Sequence, residues 1–162
     1  MEQALKLLQE RFPQSPLAPR AAMMFADYHY NRADYKRASQ AYESLRRRYP
    51  QSPEAGRSSR LLVDLADLEA DRLYQEAMAA FDGGDYEGAR RQLEAVAKRF
   101  PGTLSEMAAR CNIGVCYEKT GQWRRAAAVY DSLLQRGEAD PQYGAMLRFA
   151  REHRDWIRDY RL

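Results

Sequence analysis

Arg11-Phe12-Pro13-Gln14-Ser15-Pro16, Arg48-Tyr49-Pro50-Gln51-Ser52-Pro53 and Arg99-Phe100-Pro101-Gly102-Thr103 are three versions of one phrase: arginine, aromatic ring, proline. Pro13 and Pro50 stand 37 residues apart, and Pro50 and Pro101 stand 51 apart. Proline has no amide hydrogen to give a helix interior, so each copy reads as a helix stop. A helix stop that returns every 20–50 residues or so marks a helical repeat array. The expected fold class is therefore all-α, and the expected kind of function is to present a surface to a partner. Which partner is not written in these motifs.

Between the prolines the signals alternate regularly. Ala22, Phe25, Ala26 and His29 recur at helical spacing, Asn31-Arg32-Ala33-Asp34 breaks the pattern, and Tyr35, Ala38, Ala41, Tyr42 and Leu45 form a second apolar face. The next unit has Leu73, Ala77 and Ala80, a turn at Asp82-Gly83-Gly84-Asp85, then Tyr86, Ala89, Leu93 and Val96. The third has Met107, Ala108, Cys111, Gly114 and Tyr117, a turn at Lys119-Thr120-Gly121-Gln122, then Trp123, Ala126, Tyr130 and Leu133. Each unit reads as two antiparallel helices joined by a tight polar turn.

Small residues sit at matching places: Ala26, Ala77 and Gly114 on the first helices, Ala38, Ala89 and Ala126 on the second. Helix axes approach to the short end of the ~8–10 Å range only over small side chains. Tyr42, Leu93 and Tyr130 follow one turn after the second set, large enough to fill the space between pairs.

The longer interval exceeds the shorter by 14 residues, close to four helical turns, which keeps a helical face in phase. Leu61, Leu65, Leu68, Leu73, Ala77 and Phe81 predict a single long helix from about Glu54 to Asp82. The alternative is a break near Ala70-Asp71 with a short extra helix before it. At the other end, Asp140-Pro141 offers an N-cap acid and a first-turn proline. The stripe Tyr143, Met146, Leu147, Ala150, Ile157 and Tyr160 then predicts a helix over 140–160 that caps the array, or the first helix of a further repeat. The predicted organisation is one array over 1–162, with repeats at 18–50, 54–101 and 103–136. Leu5, Leu8 and Phe12 make 1–12 the second helix of a repeat whose first helix lies elsewhere, so the chain is expected to be a piece of a longer protein.

Composition narrows function mainly by exclusion. The net charge of +3 comes from 26 basic and 23 acidic residues spread along the chain, which argues against nucleic acid as partner. Arg46-Arg47-Arg48, Arg90-Arg91 and Arg124-Arg125 read as solvated helix faces. No apolar run approaches the ~20 residues of a membrane-spanning helix, so no direct membrane insertion is expected. Cys111 and Cys116, five apart on a helix, point ~140° apart and read as buried small residues, neither a disulfide nor half of a zinc site. His29 and His153 are far apart in the chain, and Gly83-Gly84 lacks the Lys-Ser/Thr of a phosphate loop. No nucleophile motif appears, so neither catalysis nor a cofactor nor a metal site is expected.

Gly114-Val115-Cys116-Tyr117-Glu118-Lys119-Thr120-Gly121-Gln122-Trp123-Arg124-Arg125-Ala126, with Tyr130, resembles the tetratricopeptide repeat. Looser copies run from Ala77 to Pro101, through Gly84-Asp85-Tyr86 and Ala89, and from Ala26 to Pro50, through Asp34-Tyr35 and Ala38. The resemblance covers roughly residues 1–136; His29 and Ala80 depart from its usual Tyr, and Ala33 from its turn Gly. It implies a right-handed superhelical stack of antiparallel helix pairs, here with a C-terminal capping helix. The aromatic-Pro-x-Ser-Pro endings further look like a subclass of bacterial envelope proteins. Outer-membrane assembly lipoproteins and the Tol-Pal-associated periplasmic coordinator belong to it, which would place the protein in the periplasm or at the outer membrane.

The resemblance also implies a binding mode, in which first helices line a concave groove for an extended peptide or a partner's helix. By register the groove residues would be Arg20, Met23, Asp27, Tyr30 and Asn31, then Tyr74, Met78, Phe81 and Asp82, then Cys111, Asn112, Val115, Glu118 and Lys119. Family members that hold chaperone C-termini clamp the terminal carboxylate with Lys and Asn. Met23 and Asp27 stand there instead, so an apolar or aromatic segment is the expected ligand, oriented by Arg20, Asp27 and Glu118. The other reading is a self-assembly or structural module that stacks on further copies through its end helices.

Overall fold

The computed structural model describes residue 7 and residues 11–137 and 141–162. Among these residues the chain forms seven α-helices and one 3-10 turn, with no strand. They are α1 (Ala18–Asn31), α2 (Tyr35–Arg48), α3 (Pro53–Asp82), α4 (Tyr86–Arg99), α5 (Leu104–Lys119), α6 (Trp123–Gly137) and α7 (Gly144–Tyr160), with the 3-10 turn at Pro141–Tyr143. The apolar pattern assigned to 1–12 and the cap at Asp140 fall largely or wholly outside the described residues. The C-terminal helix begins later than the sequence pattern places it, because Pro141–Tyr143 winds as a 3-10 turn and the α-helix starts at Gly144.

The repeated phrase both stops and starts a helix. Tyr49 and Phe100 are the C-cap residues of α2 and α4, and their amides bond back to the carbonyls of Leu45 and Val96. The proline then forbids continuation. Two residues further on a hydroxyl caps the next turn: Ser52 Oγ accepts from the Ala55 amide at 3.2 Å and Thr103 Oγ1 from the Glu106 amide at 3.0 Å. Glu106 reaches back as well, accepting from the amide of Gly102, the residue before the cap, at 2.6 Å.

The turns inside the hairpins obey a second rule. Asp34 and Asp85 N-cap α2 and α4 by accepting from the amides of Arg37 and Gly88. The residue before each cap is left-handed: Ala33 at φ 57°, Gly84 at 86° and, in the third hairpin, Gly121 at 71°. Glycine tolerates that region freely and alanine does not, so the first hairpin carries strain where the other two have none.

The chain divides into two compact units, Met1–Ala66 and Asp67–Leu162, and the division falls inside α3. That helix is continuous from Pro53 to Asp82, 30 residues or ~45 Å long, without a break at Ala70-Asp71. Its first half packs in the first unit, where Ala55 and Leu65 join Ala22, Met23, Ala26, Ala38, Tyr42 and Leu45 in one core. In the second unit Met107, Cys111, Ala126, Ala127, Tyr130, Leu133 and Leu134 form a core closed by Ala150 and Ile157 of α7. Burying a side chain of the Leu or Ile class contributes about 1.5–3 kcal/mol, so Ile157 anchors the last helix strongly. Asp131 adds a polar tie by accepting from Arg158 at 2.9 and 3.1 Å. Four members of the predicted apolar stripes face solvent instead: Phe12, Tyr35 on α2, Leu68 on α3 and Tyr160 on α7.

Candidate functional site

The small positions do what their sizes require. Ala26, Ala77, Ala38, Ala89 and Ala126 are completely buried, as are Tyr42, Leu93 and Tyr130 to within 1 %. The two tyrosines raise a problem that leucine does not, since each brings a hydroxyl into the core. Tyr42 donates to Asp27 Oδ1 at 2.6 Å, and Tyr130 donates to Glu118 Oε1 at 2.6 Å. In the middle hairpin, where Leu93 stands, the residues matching these two acids are Met78 and Phe81. Each acid therefore accompanies a tyrosine that needs an acceptor.

This pairing redefines part of the groove expected from register. Asp27 is committed to Tyr42. Glu118 is committed twice, to Tyr130 and to His153 Nδ1 of α7 at 2.7 Å. Neither stands free to orient a ligand. Met23 and Cys111 are corrections: both are core residues, at 4 % and 6 % exposure, and offer no solvent-facing surface. Register placed them one step too far round their helices, and the neighbouring helix covers them. Tyr30 and Phe81 are half-buried and lie edge-on to Tyr35 and Tyr86 at 5.8 and 5.1 Å, so they close the hairpins of their own repeats. Arg20, Asn31, Asp82 and Lys119 are exposed.

What remains in the second unit is a coherent patch. Tyr74 of α3 accepts a hydrogen bond from Asn112 Nδ2 of α5 at 2.8 Å, and the same amide donates to Ala108 O at 3.2 Å. This leaves the Tyr74 O–H as a donor and Asn112 Oδ1 as an acceptor, both without a partner among the described residues. Met78, one turn along α3, and Val115, one turn along α5, are half-buried beside them, and Lys119 lies a turn beyond. The patch thus has one donor, one acceptor, two apolar side chains and a cation. A peptide backbone asks for this combination: its carbonyl and amide for the polar pair, its side chains for the apolar flanks.

The ionisable groups here hold their protons. Burial pushes the Tyr74 hydroxyl up, partly opposed by the Asn112 hydrogen bond. Burial and then the bond to a carboxylate push Tyr42 and Tyr130 up much further. The Cys111 and Cys116 thiols are free and buried, and burial raises both to about 11. A thiol with that pKa carries almost no thiolate at neutral pH, so the cysteines serve packing. Among the described residues no three His, Cys, Asp or Glu side chains come together in a way that could hold a metal ion. Nor is any helix among them long and apolar enough to cross a membrane. His29, noted as a departure from the expected Tyr, is buried among Phe25 and Tyr28.

Several side chains that matter here escaped sequence reasoning. Arg90 bridges Glu87 and Glu94 while lying over the Tyr117 ring, and Trp123 meets Trp156 across two helices. Helical periodicity describes one helix at a time and gives no sign of contacts like these.

A family model described as tetratricopeptide repeat matches residues 23–72 and 74–143. Among solved structures, that of the MamA RS-1 ArsTM double mutant aligns over 98 % of this chain and 83 % of its own, with 17 % identity and a TM-score of 0.36. No curated protein matches the sequence.

Proposed function

This chain belongs to the tetratricopeptide repeat family, and from that premise we propose that it is a non-catalytic scaffold holding an extended peptide or partner segment. The family generally mediates protein–protein interactions. The proposed seat is the first-helix face of the second unit. The single observation that carries the reading is the Tyr74–Asn112 pair, which bridges α3 and α5 and keeps a free donor beside a free acceptor. Met78 and Val115 supply apolar contacts on either side, and Lys119 favours a segment with an acidic residue at one end. The test is selection of binders from a displayed peptide library, followed by Tyr74→Glu and Met78→Glu variants. Binding should fall at least about tenfold while the helical circular dichroism stays unchanged. Peptides that bind both variants as tightly as the parent would overturn this assignment.

We further propose a bacterial cell-envelope setting, periplasmic or outer-membrane-associated, supported by the aromatic-Pro-x-Ser-Pro endings. Fractionation of cells making the full-length protein tests it; recovery only with cytoplasmic markers counts against it. Exposed apolar residues at the ends support a second reading, self-assembly through the end helices. Leu17 and Met24 of the first hairpin are 61 % and 48 % exposed, and Tyr160 of α7 is 70 % exposed. A mass that stays monomeric across a hundredfold range of concentration would exclude it.

A further inference from the structure

Both tryptophans of the chain stand together at one end of the second unit. Trp123 opens α6 and Trp156 lies near the end of α7, with ring centroids 5.9 Å apart and planes at 64°. Arg161 lays its guanidinium over both rings, 4.8 Å from the Trp123 centroid and 5.1 Å from that of Trp156. Beside the pair is a concavity of about 360 Å³ lined by Gly121, Gln122, Trp123, Arg124, Arg125, Arg161 and Leu162. Three guanidinium groups therefore converge on one cavity, and none has a carboxylate partner among the described residues. Arg125 donates only to Gln122 Oε1, at 2.6 Å, and lies over the Tyr117 ring at 5.9 Å. One side-chain carboxylate that reaches this neighbourhood, Glu87, already accepts from Arg90 at 2.8 Å and from Gln122 at 3.2 Å.

We propose that this end of the second unit is a docking site for an acidic peptide segment, whose carboxylates pair with Arg124, Arg125 and Arg161. Charge complementarity argues for the occupant. Elsewhere in the unit Arg90, Arg99, Arg110, Arg154 and Arg158 each pair with an acid, whereas these three share one concavity without such a partner among the described residues. Guanidinium planes accept carboxylates in a two-pronged fashion, and Arg161 is held in place by its two rings, so little freedom is lost when an anion arrives. Nucleic acid, the other polyanion, needs open ring faces on which bases stack. Here the rings meet edge-on and Arg161 covers both, which favours the peptide. The site is separate from the Tyr74–Asn112 face and does not depend on it.

Because Trp123 and Trp156 are the only tryptophans in the sequence, tryptophan emission excited selectively over the tyrosines reports on this site. The experiment titrates the whole chain with a hexaglutamate peptide at low salt and repeats it with hexalysine and with a short oligouridylate. A saturable emission change with hexaglutamate, weakening as salt rises, is expected. In the double variant Arg124→Glu/Arg161→Glu the affinity should drop at least about tenfold with circular dichroism unchanged. The milder Arg124→Gln/Arg161→Gln should show an intermediate loss, and it stands in if the charge reversal disturbs folding. The Tyr74→Glu/Met78→Glu variant should bind hexaglutamate as the parent does, which separates this site from the groove. Absence of a saturable change, equal affinity in the charge variants, or saturation by the oligouridylate without the peptide would overturn the proposal.

Discussion

Gly114→Ala is a one-carbon change that probes how the third repeat is packed. A Cβ on Gly114 would stand 2.5 Å from Cε1 and 2.6 Å from Cζ of Tyr130, distances no side chain tolerates without movement. Tyr130 cannot move freely. It is completely buried, and its hydroxyl is held at 2.6 Å by Glu118, one turn beyond Gly114. The first repeat shows that alanine and tyrosine coexist when the acid is placed differently, because Ala26 faces Tyr42, whose hydroxyl goes to Asp27, the very next residue. Glycine at 114 is thus required by the route Tyr130 takes to Glu118. Overpacking costs about 1–3 kcal/mol. Weakening a hydrogen bond to a charged acceptor adds about 1–2 kcal/mol, and alanine's better helix propensity returns about 1 kcal/mol. The net loss is about 2 kcal/mol, or about 4–8 °C in Tm for a chain of this size. Urea denaturation of four proteins, the parent, Gly114→Ala, Tyr130→Leu and the double variant, measures it. In the Tyr130→Leu background, which copies the Ala77–Leu93 arrangement of the second repeat, Gly114→Ala should cost nothing. A single variant as stable as the parent, or a cycle without coupling, refutes the reasoning.

Three further outcomes follow from local features. Ala33→Gly should stabilise the first unit by about 0.5–1 kcal/mol, because alanine at φ 57° is strained and glycine there is not; the urea midpoint reads this directly. Tyr49→Phe should leave stability unchanged or raise it by about 1 kcal/mol, since the Tyr49 hydroxyl is buried without a hydrogen-bond partner among the described residues and Phe occupies the same place in the third copy of the phrase. Raising the pH from about 9 to about 11 should lower stability. Cys111 and Cys116 keep their protons to about 11 in the folded chain, whereas unfolded thiols lose theirs at about 8.5, so the stabilisation is complete below the unfolded pKa and disappears toward the folded one. The effect should be about 2 kcal/mol for each thiol at pH 10, compared by urea midpoints with a Cys111→Ala/Cys116→Ala variant, in which the thiol share is absent.

The repeat architecture was legible because its determinants are local. The Arg-aromatic-Pro phrase carries its own C-cap, its own stop and, two residues later, the next hydroxyl cap, as Tyr49, Pro50 and Ser52 illustrate. The alternation of small and large residues foretold the buried Ala26, Ala38, Tyr42 and their counterparts. The candidate site was less legible. Register distinguishes the two sides of a helix but not what a neighbouring helix will cover, so Met23 and Cys111 were assigned to a groove when they belong to the core. Nor does it reveal a partner from a distant helix: Glu118 looked like a ligand-orienting acid until Tyr130 and His153 were found on it.

By itself, then, the sequence determined where the helices of the repeats begin and end, that they pair, and which positions must be small. Those properties depend on residues within a turn or two of one another. Tertiary structure decided which polar groups are already satisfied. It assigned Asp27 and Glu118 to tyrosines, left Tyr74 and Asn112 with a donor and an acceptor unused among the described residues, and gathered three arginines at a concavity beside Trp123 without an acid paired to them among those residues. Hydrogen-bond satisfaction and charge balance are sums over neighbours in space, and the chain brings those neighbours together only when its helices pack.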